Sequence, residues 1–139
     1  MNKVKYISTE EALSIYEIIK FKNKVKTNCG VDESKLDLAL YSIRKSFFGN
    51  DLCPDMKDKV KKLVKNLLES KPFEYNNDFI TLVLVLKFLE KNELLPKNFK
   101  LRRKTSKDVE MAKKELENID NPIEIQYRLI MNILEEYIR

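Results

Sequence analysis

The 139-residue chain contains no histidine and no tryptophan, only two cysteines, two glycines and four prolines. Without histidine the commonest general base at neutral pH is missing, so acid–base chemistry would fall to a carboxylate, a lysine or a tyrosine. That weighs against an enzyme. Cys29 and Cys53 lack CxxC spacing and have no imidazole to share a metal with, which argues against a zinc site. They read as core or semi-exposed thiols, and no metal and no cofactor is expected. The scarcity of glycine and proline argues against a turn-rich β-sandwich and against a disordered chain. No uncharged apolar run reaches the roughly 18 residues of a membrane span. The opening "MNKVKYIS" lacks the apolar segment of a signal peptide. A cytoplasmic protein with no membrane partner is expected.

What is present is a balanced globular composition, 43% hydrophobic and 35% charged, in a length that suits one domain with a real core. The net charge of +5 would suit nucleic acid or an acidic protein surface. Both signs are interspersed along most of the chain, so charge alone does not choose between them.

Helical periodicity dominates. "STEEALSIYEIIKF" opens with Ser8 three residues ahead of Glu11, the pattern of a capping box, and continues with Leu13, Ile15, Tyr16, Ile18 and Ile19 on roughly one face. A helix over about 9–22 is expected. "NCGV" breaks it, and Asp32 is placed to cap a second helix in "ESKLDLALYSIRKSF", with Leu36, Leu40 and Ile43 inward. "FFGNDLCPD" carries turn chemistry and predicts a structured loop. Met56, Val60, Leu63, Val64, Leu67 and Leu68 form one apolar face, with lysines opposite, over about 55–70.

"ITLVLVLKFLE" is apolar nearly all round, which predicts a helix over about 77–91 at the centre of an all-α, single-domain bundle, with Leu84 and Leu86 buried. A strand would be the competing assignment, but "KFLEKNELL" continues the run past strand length with good helix formers. Pro96 ends it. "PKNFKLRRKTSK" then gathers Lys97, Lys100, Arg102, Arg103, Lys104 and Lys107 into the densest basic stretch. It reads as a solvated connection or as a patch for an acidic partner or nucleic acid, although Phe99 alone offers little stacking. A helix to about 118 follows. Pro122 then opens a final helix with Ile123, Tyr127, Ile130, Leu134 and Tyr137 along one side. The apolar surface of this C-terminal extension, 101–139, is expected to pack on the core, 1–100, or to form a homo-oligomeric interface.

Several landmarks occur in one order: "GVDESKLDLAL", "FFGNDLCPD", a helix, "KPF" with an asparagine four residues after Phe73, then a buried helix ending "KFLEKNELL". This order resembles the death-on-curing (Doc) branch of the Fic/Doc superfamily from about Tyr6 to Leu95. The resemblance implies an all-α fold whose central turn presents a motif of the form HPFxxGN(K/G)R. In that motif the histidine is the base for a target hydroxyl, the acid before the glycine binds Mg²⁺, the glycine–asparagine turn receives phosphates and the arginine steadies them.

This chain departs from the motif at most functional positions. Lys71 stands for the histidine, Tyr75 for the acid, Asn76 for the glycine, Asp78 for the lysine or glycine, and Phe79 for the arginine, while Pro72, Phe73 and Asn77 match. A protonated lysine cannot accept a proton, and Asp78 adds a negative charge where phosphate would sit. Glu74, one position from the acid, would need a register shift to bind metal. The resemblance therefore implies a pseudoenzyme of toxin–antitoxin, phage or mobile-element type that acts by binding a protein. The alternatives are a residual phospho- or nucleotidyltransferase, and a nucleic-acid-binding protein using the basic 97–107 stretch. Read without the resemblance, Lys71 is a cation at a helix C-terminus, Asn77 or Asp78 is the N-cap of the next helix, and Phe73 is core.

Overall fold

Ser8 and Glu11 close the start of the first helix from both sides. The Ser8 hydroxyl accepts the Glu11 N–H at 3.1 Å, and the Glu11 carboxylate accepts the Ser8 N–H at 3.5 Å. From this box runs α1, Thr9–Lys22. Asp32 caps α2, Glu33–Tyr41, by accepting the Lys35 N–H at 3.2 Å. The computed structural model describes residues 3–25, 29–44, 46–47, 50–51, 55–95 and 121–134. Its remaining elements are a 3₁₀ turn at Ser42–Arg44, the strands β1, Ser46–Phe47, and β2, Asn50–Asp51, then α3, Met56–Ser70, α4, Asn77–Lys91, and α5, Pro122–Leu134. The chain folds as an all-α single-domain bundle in which β1 and β2 pair as a two-residue antiparallel ladder.

The second helix is shorter than its sequence pattern suggests. Ser42 donates its hydroxyl to the Ala39 carbonyl at 2.6 Å and accepts the Asn66 amide at 2.7 Å, and from Ser42 the backbone tightens into the 3₁₀ turn. The stretch expected as a loop includes an antiparallel ladder, Ser46 opposite Asp51 and Phe47 opposite Asn50.

On α3, Val60, Leu63, Val64, Leu67 and Leu68 are all buried, and the helix packs on α2, α4 and α5. One lysine does not follow the amphipathic pattern. Lys59 is 1% exposed, donates to the Ile43 carbonyl at 3.0 Å and lies 5.5 Å from the Tyr6 ring centre. A long apolar stem lets a lysine enter a core wherever its ammonium finds acceptors.

"ITLVLVL" is helical, as its length and continuation imply. Ile80, Leu82, Leu84, Val85, Phe88 and Leu89 of α4 are buried against the rest of the core. The helix is not enclosed all round: Leu86 is only half-buried and Phe79 is 39% exposed. Ile18 of α1 likewise departs from the expected apolar face, being 53% exposed. In α5, Ile130, Met131 and Leu134 enter the common core and the helix contacts α3 and α4. The helix expected up to about 118, and Tyr137, lie outside the described residues. Among the described residues no helix is long and apolar enough to cross a membrane.

Candidate functional site

The turn between α3 and α4 is built on two left-handed residues. Lys71, the C-cap of α3, has φ 47° and ψ 60°, and Asn76, the N-cap of α4, has φ 51° and ψ 58°. The first closes α3 by an N–H bond to the Leu67 carbonyl at 3.1 Å, an arrangement in which glycine is the usual residue. The second places its carbonyl to accept the Ile80 N–H at 3.0 Å. The N-cap is thus Asn76, in place of the expected Asn77 or Asp78, and it makes no side-chain capping bond.

Asn77 has a different task. Its Oδ1 accepts the Phe73 N–H at 3.0 Å while its Nδ2 donates to the Phe73 carbonyl, so one side chain staples the turn across four residues. Asp78 accepts the adjacent Phe79 N–H at 2.9 Å. Phe73 and Pro72 are buried, Tyr75 and Asn77 are half-buried, and Lys71, Glu74, Asn76, Asp78 and Phe79 are exposed.

The segment before α2 is zipped onto this turn. Val31 and Phe73 form an isolated antiparallel bridge, flanked by Asp32 N–H to Pro72 carbonyl at 2.7 Å and Glu74 N–H to Gly30 carbonyl at 3.1 Å. Glu74 adds its carboxylate, which accepts the Gly30 N–H at 2.9 Å. Beneath the zipper lies Tyr16, with no exposed surface. Its hydroxyl accepts the Tyr75 N–H at 3.1 Å and points at the carbonyls of Gly30, 3.1 Å, and Cys29, 3.3 Å. Its ring meets Phe73 at 4.7 Å between centroids. Burial pushes the Tyr16 phenol above its ordinary value, so it stays neutral and can serve as donor and acceptor together. Tyr75 accepts the Asn23 amide at 3.1 Å, and Lys20 donates to the Cys29 carbonyl at 2.8 Å.

The structure therefore brings Lys71 to Phe79 together as one turn. The basic residues Lys97, Lys100, Arg102, Arg103, Lys104 and Lys107 lie outside the described residues, as does Cys53; Cys29 is half-buried. Among the described residues no group of three or more histidine, cysteine, aspartate or glutamate side chains could hold a metal ion. Sequence reading missed Tyr16, Gly30 and Val31 as partners of the turn. Tyr16 was legible only as one apolar position of α1, and the polar task of its hydroxyl depends on residues 14 and 59 positions away.

A second feature lies on the other side of α2. A cleft of about 260 Å³ is floored by buried Ile7 and Leu40 and walled by Leu38, Tyr41 and Arg44, with Thr9 and Asp37 at one end. Nothing in the sequence pattern singled it out, because Leu38 falls outside the Leu36–Leu40–Ile43 face. Compared with family models, curated proteins and solved structures, the chain matches none.

Proposed function

We propose that this chain is a catalytically inactive, Doc-like protein that works by binding another protein. The observation that carries the reading is the engagement of the turn's polar groups in hydrogen bonds within the fold. Glu74 is bound to the Gly30 N–H, Tyr75 is tied to Tyr16 and Asn23, and Asn77 closes on Phe73. Catalytic groups need a free lone pair within reach of the reacting proton or metal. Here the remaining exposed side chains, Lys71, Asn76, Asp78 and Phe79, include neither an imidazole nor an arginine. The helix–turn–helix order around a buried α4 supports the resemblance, and the replaced motif positions support loss of chemistry.

The test is incubation of the protein with labelled ATP or GTP, Mg²⁺ and host lysate, run with the wild type, Lys71→His, and a fourfold variant Lys71→His, Tyr75→Glu, Asn76→Gly, Phe79→Arg. No labelling is expected from the wild type or the single variant, because residues that act as one catalytic unit do not contribute independently. Labelling of any protein by the wild type overturns the reading. A thermal shift checks nucleotide binding directly, since a ligand at 100 times its Kd would stabilise the fold by about 2.7 kcal/mol. No shift with ATP or GTP and Mg²⁺ is expected.

A further inference from the structure

Leu38 is 67% exposed and Tyr41 51% exposed on α2. Between them and the buried floor of Ile7 and Leu40 lies the cleft of about 260 Å³. That volume is at the low end of the roughly 300–1,000 Å³ of small-molecule sites and suits one or two inserted side chains.

Arg44 closes one end. Its guanidinium lies 4.9 Å from the Tyr41 ring centre and 5.8 Å from that of Tyr6. It makes no ion pair among the described residues. Held by aromatic faces instead of by a carboxylate, its planar fork stays available for a bidentate acceptor. At the other end Asp37 already accepts the Thr9 hydroxyl, and its charge discourages a phosphate chain from lying along the cleft.

We propose that this cleft docks a segment of a partner protein, which inserts one large apolar side chain between Leu38 and Tyr41 and sets a carboxylate against Arg44. The inference rests on the protein-binding reading above and gives that partner its chemistry. An apolar anchor beside an exposed tyrosine and an unpaired arginine matches the composition of interface hot spots, and the charge complement of Arg44 is an aspartate or glutamate.

The experiment pans a random dodecapeptide phage library over the full chain, wild type and Leu38→Ser/Arg44→Glu, with far-UV circular dichroism to verify that both are folded. Both positions are exposed, so the variant should fold. The wild type should enrich peptides pairing a large apolar residue with an aspartate or glutamate a few positions away, and the double variant should not. In fluorescence anisotropy with the enriched peptide, Arg44→Glu should weaken binding at least roughly tenfold, and changing the peptide's acid to lysine should recover it. Equal enrichment by the double variant overturns the cleft and leaves the protein-binding reading standing. No enrichment by the wild type overturns the proposal, as does Arg44-dependent binding of a single-stranded oligonucleotide that competes with the peptide. The labelling assay decides the loss of chemistry independently of all these outcomes.

Discussion

The Tyr16 hydroxyl receives the Tyr75 N–H at 3.1 Å across 59 residues of sequence, joining the middle of α1 to the turn that opens α4. Removing this one oxygen in Tyr16→Phe leaves the Tyr75 N–H without its partner, while the Gly30 carbonyl keeps the Glu74 N–H and the ring still packs on Phe73. Stability should fall by about 1–3 kcal/mol, read as a lower urea midpoint at unchanged slope. Because burial raises the Tyr16 pKa, its contribution is complete below the unfolded value near 10 and declines as pH rises past it. The alkaline loss of stability should therefore be smaller in Tyr16→Phe than in the wild type.

Lys71→Gly should make the protein more stable. A lysine at φ 47° carries a steric penalty that glycine does not, offset in part by the greater freedom of glycine in the unfolded chain. The expected gain is about 0.5–1 kcal/mol, measured by chemical denaturation. A loss instead would mean that the Lys71 side chain holds the turn together.

Thr81 is fully buried in α4 and its hydroxyl has no hydrogen-bond partner among the described residues. Thr81→Val keeps the shape and removes the unsatisfied polar atom, so the melting temperature should rise, with a gain on the order of 1 kcal/mol. An unchanged or lower melting temperature would show that the hydroxyl is satisfied in solution, for instance by a bound water.

Leu84 has no exposed surface, whereas Leu86 is half-buried on the same helix. Leu84→Ala should cost about 2–5 kcal/mol, and Leu86→Ala less than about 2 kcal/mol, because only the first leaves a closed cavity. Equal losses, read side by side in urea, would mean that α4 is enclosed all round.

Glu11 meets Lys91 across α1 and α4, and this hydrogen-bonded contact holds its carboxyl below the ordinary 4.5. The lowered folded value makes the contribution present above the unfolded pKa and lost as pH falls through the folded one. Lys91→Met should therefore reduce stability at neutral pH and flatten the decline below about pH 4.5, compared by denaturant titration at pH 7 and pH 3. Identical pH profiles would show that solvent screens the pair fully.

Local rules carried most of the helix assignment. The Ser8–Glu11 box, the Asp32 cap and the 3.6-residue apolar pattern of α3 depend on neighbours within a turn or two, so they are legible from order alone. The all-round apolar run from Phe79 likewise implied the buried α4.

Other features needed three-dimensional proximity. Ser42 ends α2 because Asn66 of α3 reaches it, and Lys59 is inside because the Ile43 carbonyl receives it. The exposed cleft depends on the segment leading into α1, α2 and the 3₁₀ turn meeting at Ile7, Leu40 and Arg44.

The same division holds at the candidate site. Sequence alone determined which side chains the turn carries: Lys71, Tyr75, Asn76, Asp78 and Phe79 where the resembling motif has a base, an acid, a glycine, a lysine or glycine, and an arginine. Only the tertiary structure decided what those side chains do. The Glu74 carboxylate accepts the Gly30 N–H because the bridge between Val31 and Phe73 brings the segment before α2 onto the turn, and the Tyr75 hydroxyl accepts the Asn23 amide at the end of α1. Hydrogen bonds act over about 3 Å, and a pattern read along the chain carries no distance between residues so far apart in order.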